Sequence, residues 1–145
     1  MKHNLDNYVR SALEASVHFA RDRSAVEQFV LRYGQTFTPI SHGVPRGPEK
    51  KCFSNAADLV SSDRRYSYAE GFSAAAGMPP FIHAWCTRDG FALDPTLKRT
   101  HRYAYLGVVI PRQILFDALE QQGHYGILTG SRAATFMEEW ARSRG

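Results

Sequence analysis

The fold is decided by the stretch 81–94, Phe81-Ile82-His83-Ala84-Trp85-Cys86-Thr87-Arg88-Asp89-Gly90-Phe91-Ala92-Leu93-Asp94. Residues 81–87 are mostly apolar and aromatic, as in a buried strand, and residues 91–94 return to that character. Between them lies the Asp89-Gly90 pair, which favours a tight hairpin turn. The stretch therefore predicts two antiparallel strands, with Arg88 opposite Phe91.

Two more strands are predicted on either side of this hairpin. Residues 66–72 alternate and are rich in aromatics, and a turn at 77–80 separates them from the hairpin. Residues 102–110 contain the longest apolar run of the chain, Tyr105–Ile110. The sequence therefore predicts an antiparallel sheet of about four strands.

Apolar residues at helical spacing predict flanking helices at both ends of the chain and one helix before the sheet. We expect helices over 5–20, 24–34, 52–62, 111–123 and 129–142. Ser24 and Glu27 have the spacing of a capping box at the start of the second helix. Residues 35–50 contain Pro39, Gly43, Pro45, Gly47 and Pro48 and are predicted to form a long loop. The order of elements indicates an α+β fold.

Length and composition indicate one globular domain over residues 1–145. Hydrophobic residues make up 43% and charged residues 22%, which excludes disordered, collagenous and coiled-coil classes. No apolar run approaches the ~18 residues that a membrane span needs, so no membrane partner is expected. Residues 1–7 lack the apolar stretch of a signal peptide, and two cysteines are too few for a disulfide framework. We therefore expect reduced thiols and a cytoplasmic location.

Charge and motifs say little about partners. The formal net charge of +4 permits a nucleic-acid partner without favouring one, because the basic residues are scattered along the chain. No phosphate-binding loop or dinucleotide motif is present, so no cofactor is inferred. A zinc site is not expected either, because His83 and Cys86 are three apart on a strand and would point to opposite faces. The sequence leaves the oligomeric state open.

Cys52, His83 and Asp94 together carry the strongest chemical signal. Cys52 begins the predicted helix 52–62, next to Lys50 and Lys51, and a helix N-terminus with nearby positive charge favours the nucleophilic thiolate form of a cysteine. A strand can hold His83 rigidly enough to accept and return a proton. The hairpin places Asp94 diagonally across from His83, where a carboxylate can fix the orientation of the ring.

Four motifs together resemble the core of the transglutaminase-like superfamily. They are the cysteine helix with Cys52 and Ala56, the strand Tyr68-Ala69-Glu70-Gly71, the triplet His83-Ala84-Trp85, and the triplet Asp94-Pro95-Thr96. The resemblance covers about residues 50–97. It implies a papain-like α+β fold, in which a helix bearing the cysteine packs on an antiparallel sheet. It also implies that Cys52 is the nucleophile, His83 the general base and acid, and Asp94 its orienting partner. Lys51 replaces the aromatic residue often found before the family's cysteine.

These residues predict a cysteine-dependent acyl-transfer enzyme that acts on an amide of a protein or peptide. Water as the acceptor would make it a peptidase, amidase or deamidase, and an amine would make it a transglutaminase; the compact chain favours hydrolysis. The backbone N–H of Cys52 is the expected first oxyanion donor, and the second is open among Gln35, Asn55 and a loop amide. The alternative is an inactive papain-like fold, or a small basic module that binds a protein partner or nucleic acid.

Each of the three residues also has a purely structural interpretation. Cys52 could be a small buried hydrophobe, His83 a satisfied core histidine, and Asp94-Pro95 a turn that ends a strand. Trp85 lies one strand period from His83 and is therefore expected on the same face, as a core residue beside the imidazole.

Overall fold

A computed structural model describes residues 2–20, 25–40, 44–123 and 126–144, and a closed five-stranded barrel lies at its centre. The strands are β1 (Gln35–Ile40), β2 (Ser67–Ala75), β3 (Phe81–Arg88), β4 (Phe91–Leu93) and β5 (Tyr103–Ile110), and their order around the barrel is β1-β4-β3-β2-β5. The predicted helix start at Ser24 falls outside the described residues. A short 3-10 turn, Thr100–Arg102, precedes β5.

Four of the described helices pack against the outside of this barrel, and the last packs on the second through the rings of Phe136 and Phe29. In chain order the helices are α1 (Lys2–Ala20), α2 (Ala25–Tyr33), α3 (Cys52–Ser62), α4 (Arg112–Gln122) and α5 (Ala133–Ser143). Helix α3 lies on β3, where the Cys86 thiol donates to the Ala56 carbonyl over 3.3 Å. Helix α4 ends at Gly123, whose φ of 79° gives the left-handed cap that glycine favours. Among the helices of the described ranges, none has the length and apolar character needed to cross a bilayer.

Alternation along the strands creates two apolar cores. Side chains on the outer face, such as Tyr68, Cys86 and Leu106, join the helices in the larger core. Side chains on the inner face fill the barrel with a smaller, aromatic core: Phe37, Ala69, Trp85, Ala92 and Tyr105. His83 and Trp85 share the inner face, as a period of two requires. The α+β class is thereby confirmed.

The predicted sheet of about four antiparallel strands with papain-like packing is wrong, because the sheet closes into a barrel of five strands. Strand β1, which lies in the segment 35–50 predicted to be a loop, closes it. The first half of β1 pairs antiparallel with β5, where Gln35 is opposite Gly107. Its second half pairs parallel with β4, where Ile40 is opposite Leu93. The four predicted strands are present, and the missed fifth converts their sheet into a barrel.

Pro39 is one reason why β1 was predicted to be part of a loop. A proline within a run argues against a paired strand because it has no N–H to donate. The Thr38 N–H of β1 donates to the Gly90 carbonyl, in the turn just before β4. Because successive residues of a strand point their N–H groups to opposite sides, the nitrogen of Pro39 faces β5. Pairing with β5 ends at Phe37, so Pro39 interrupts no ladder on that side.

The hairpin predicted from 81–94 is confirmed. Arg88 pairs with Phe91 and Cys86 with Leu93. Asp89 and Gly90 have φ values of 54° and 82°, as a two-residue hairpin with both central residues left-handed requires.

Two glycines let the strands of the barrel approach each other closely. Gly71 and Gly107 are register partners on β2 and β5, and Gly71 also pairs with His83 on β3. A Cβ on Gly71 would collide with the Leu106 carbonyl, and a Cβ on Gly107 would lie 2.7 Å from Cη2 of Trp85. Gly71 therefore allows β2 and β5 to approach, and Gly107 provides space that the indole occupies inside the barrel.

A buried carboxylate fastens the segment after α4 to the outside of the barrel. Glu70 is fully buried on β2, where Oε2 accepts from the Tyr68 hydroxyl at 2.6 Å. The backbone N–H groups of Ile127 and Leu128 donate to its two oxygens, each over 2.8 Å. Burial raises the pKa of Glu70 to about 7, although the three donors act in the opposite direction.

The raised pKa of Glu70 predicts a pH-dependent stability. Because the folded state favours its protonated form, Glu70 stabilises the fold fully below its unfolded pKa of about 4.3 and loses this contribution as pH rises through about 7. We expect the free energy of unfolding to fall between about pH 5 and 7, and Glu70→Gln to remove this slope. Glu70→Gln should also lower stability by about 1–3 kcal/mol, because an amide NH2 cannot accept from a backbone N–H.

Urea unfolding across this pH range is the measurement for Glu70. The exposed Glu138→Gln variant provides the matched control and should keep the slope of the unmodified protein. An unchanged slope in Glu70→Gln would contradict the assignment.

Candidate active site

A buried histidine–carboxylate pair lies inside the barrel. The Nε2–H of His83 donates to Oδ2 of Asp94 over 2.8 Å. The side chain of His83 is 3% exposed and that of Asp94 is fully buried. His83 lies on β3 and Asp94 directly follows β4, so the hairpin sets this contact through its register.

Asp94 is held by three further donors. The backbone N–H groups of Thr96 and Leu97 donate to Oδ1 over 2.8 and 3.1 Å. The Tyr105 hydroxyl donates to Oδ2 over 2.8 Å. Burial alone would raise the pKa of Asp94, but the hydrogen bond and charge of His83, with Thr96 and Tyr105, lower it below its usual range. The carboxylate is therefore ionised at neutral pH and fixed at both oxygens.

The half-buried Cys52 is the first residue of α3. Its thiol lies close enough to His83 to be among the groups that raise the pKa of that imidazole. Since Nε2 is used by Asp94, Nδ1 is the ring nitrogen left for Cys52. As the first residue of a helix, Cys52 also has a backbone N–H without an intrahelical partner, and the N-cap residue Lys51 makes no side-chain capping bond.

The charge state of His83 follows from its two partners. Burial by itself lowers the pKa of this imidazole, but the hydrogen bonds with Asp94 and Cys52 overcome that effect and raise the pKa to about 9. The ring is therefore cationic at pH 7 and hydrogen-bonded to Asp94. Such a ring stabilises an adjacent thiolate and can return its Nδ1 proton to a leaving group.

Comparison with family models, with curated proteins and with solved structures finds no match to this chain.

Asn55 ties together the segments on either side of this site. It lies one turn after Cys52 on α3 and is 8% exposed. Its Nδ2 donates to the Pro48 carbonyl over 2.8 Å and to Oγ1 of Thr96 over 2.9 Å. Both amide protons are thereby used, so Asn55 is not free to serve as the second oxyanion donor. It instead fixes the chain before Cys52 to the chain after Asp94.

Of the other proposed oxyanion donors, Gln35 lies at the wrong end of its strand. It begins β1, whereas the end of β1 that approaches Asp94 is Ile40, opposite Leu93. Within the described residues, no three His, Cys, Asp or Glu side chains are arranged to hold a metal ion. Cys86 faces α3 on the outer side of β3, opposite to His83, and burial raises the pKa of its thiol to about 12.

Aromatic rings surround the imidazole inside the barrel. Trp85 stacks on His83 with 6.0 Å between ring centroids and 23° between planes, and Phe81 meets its edge at 5.5 Å. The Tyr105 ring lies 6.2 Å away. Trp85 is fully buried, so it both fills the core and shields the imidazole from water.

Of the three residues predicted from the sequence, the structure joins His83 to Asp94 by a hydrogen bond and places Cys52 close enough to affect the pKa of the ring. Sequence reasoning missed Tyr105 and the positioning role of Asn55. Tyr105 lies in the strand predicted over 102–110, but nothing in the sequence indicated that its side chain points towards Asp94. The Tyr68 hydroxyl lies outside this site, because it donates to Glu70 on the outer face of β2.

Proposed function

We propose that this chain is a cysteine-dependent acyl-transfer enzyme that hydrolyses an amide bond of a protein or peptide. The observation that carries the proposal is the buried His83–Asp94 pair, joined over 2.8 Å, with the Cys52 thiol close enough to the imidazole to affect its pKa. A carboxylate bound to one ring nitrogen fixes the orientation of the imidazole, and the other nitrogen is then available to exchange a proton with a nucleophile.

The reaction can be written with the groups of this site. The Cys52 thiolate attacks the amide carbonyl carbon, and the backbone N–H of Cys52 donates to the developing oxyanion. His83 gives its Nδ1 proton to the leaving amine as the C–N bond breaks, which leaves a thioester. Water then attacks the thioester while His83 takes its proton, and the C–S bond breaks to release a carboxylic acid and restore the thiolate. An amine in place of water would give transamidation.

Membership of the transglutaminase-like superfamily is part of this proposal. It rests on the order Cys52, His83, Asp94 and on the motifs around them, and not on the barrel. The two cysteines are free thiols, and the chemistry needs Cys52 reduced, so we propose that the protein works in the cytoplasm.

The first test is the pH profile of Cys52 alkylation. An ordinary thiol reacts with iodoacetamide as its thiolate forms near pH 8.5. Because a cationic His83 adjoins Cys52, we expect this residue to react well below pH 7. The measurement is the rate of adduct formation from about pH 4 to 10, with the adduct mapped by mass spectrometry.

Two controls make this profile decisive. Cys86 should remain unmodified in the folded protein, since it is buried on the opposite face. His83→Ala and His83→Gln should each remove the reactivity of Cys52 below pH 7 while circular dichroism shows a retained fold. Reaction of Cys52 only near pH 8.5, or a profile unchanged by both variants, would refute the enzyme proposal and favour a binding module.

A further inference from the structure

A basic pocket adjoins the proposed active site. It is a cavity of about 600 Å³, within the size range of small-molecule sites. Four cationic side chains and one carboxylate line it: Lys50, Lys98, Arg99, Arg102 and Glu49. Like charges gathered on one concave wall repel one another and attract an anion from solution.

The pocket borders the segment that holds Asp94. Thr96 and Leu97 line it, and their backbone N–H groups donate to Oδ1 of Asp94 over 2.8 and 3.1 Å. Lys50, which also lines the pocket, lies two residues before Cys52 in the sequence. Tyr103 also lines the pocket, and its ring lies 6.4 Å from that of Phe81, which in turn meets the His83 ring at 5.5 Å. The pocket therefore lies at the same end of the barrel as the His83–Asp94 pair.

Within the described ranges the cations of the pocket form no ion pair, although the Glu49 carboxylate shares the lining. Ion pairs within the described ranges join Asp63 to Arg65, Asp94 to His83 and Asp89 to Arg88, and none of these includes a cation of the pocket. Lys50 and Arg99 also have φ values of 63° and 53°, a left-handed conformation that costs free energy in a residue with a Cβ. Among the described residues other than glycine, Asp89 of the hairpin turn is the third with a positive φ.

We infer that the pocket binds an anionic group, a carboxylate or a phosphate, of the acyl substrate that Cys52 attacks. This inference rests on the proposed function, since it assigns a charge to the substrate of that reaction. A second cavity of about 710 Å³ shares Ala75, Arg102 and Tyr103 with the pocket and is lined by Leu5, Tyr8, Phe37 and Pro39. The preferred substrate thus carries a negative charge beside an apolar portion.

The test compares two alkylating agents of similar size that differ in charge, anionic iodoacetate and neutral iodoacetamide. Both form the same S–C bond to Cys52 and release iodide. The measured quantity is the rate constant for iodoacetate divided by that for iodoacetamide, at pH 7 and about 0.01 M ionic strength, where screening is weak. Neutralising two pocket charges in Lys98→Gln/Arg102→Gln should lower this ratio about tenfold. Arg64→Gln/Arg142→Gln removes the same charge from exposed positions elsewhere and should leave the ratio unchanged.

The outcomes separate this inference from the proposed function. If Cys52 reacts with neither agent below pH 7, the proposed function fails. If iodoacetamide reacts normally but the pocket variant and the control variant show the same ratio, the anion pocket is refuted and the enzyme proposal stands. Where the ratio falls as expected, protection of Cys52 from iodoacetamide by glutarate or by inorganic phosphate tells which anion the pocket prefers.

Discussion

Asp94→Asn is expected to slow amide turnover by about 10²–10⁴-fold and to abolish the reactivity of Cys52 below pH 7. The substitution preserves the shape of the side chain, and Oδ1 can still accept from the N–H groups of Thr96 and Leu97. The new NH2 group, however, replaces the oxygen that accepts from Nε2 of His83. Two donors would then face each other.

The conflict is relieved when His83 becomes neutral with its proton on Nδ1. That tautomer presents a hydrogen to Cys52 instead of a lone pair, so the ring can no longer accept the thiol proton. The loss of the Asp94 charge also removes a main cause of the raised His83 pKa. The pKa of His83, followed by its imidazole NMR signals, should therefore fall from about 9 towards or below its ordinary value.

Tyr105→Phe is the matched control for this prediction. It removes one hydrogen bond to the same Oδ2 but keeps the carboxylate and its contact with His83. We expect a loss of stability of about 1 kcal/mol with the His83 pKa still above its ordinary value. Full reactivity of Cys52 in Asp94→Asn would remove this residue from the mechanism, whatever its effect on stability.

The site was more predictable from the sequence than the fold because its geometry is local. His83 and Asp94 are separated by one hairpin, and the Asp89-Gly90 turn fixes the pairing between their strands. Cys52 could be placed at a helix start because the apolar spacing of 52–62 is regular. These short-range rules are enough to bring a histidine and a carboxylate into contact.

Closure of the barrel depends on contacts between residues that are far apart in the sequence, and local sequence patterns do not predict such contacts. Strand β1 is stabilised by pairing with β4 and β5, which lie more than 50 residues further along the chain. Its own sequence, with Pro39 near one end and loop-forming residues after it, favours a loop when considered alone. The bonds of Asn55 to Pro48 and Thr96 were equally inaccessible, since one partner is a backbone carbonyl in a segment without regular structure.

Trp85→Ala is expected to lower the free energy of unfolding by about 3–5 kcal/mol, the usual effect of removing a large aromatic side chain from a core. The indole is fully buried inside the barrel and contacts the Phe37 and Tyr105 rings with centroid distances of 5.7 and 5.1 Å. The rigid walls of a closed barrel cannot collapse into the space that the indole leaves, so the cavity should persist.

Trp85→Phe distinguishes packing from hydrogen bonding in this core. The Nε1–H of Trp85 is buried without a hydrogen-bond partner among the described residues, so its loss costs no bond. Phenylalanine keeps much of the ring against Phe37 and Tyr105, and we expect it to lower stability by about 1.5 kcal/mol or less. Urea unfolding of both variants measures the difference. If Trp85→Ala is as stable as Trp85→Phe, the barrel interior is not closely packed around the indole. The conclusion that Trp85 shields the His83 imidazole from water would then be wrong as well.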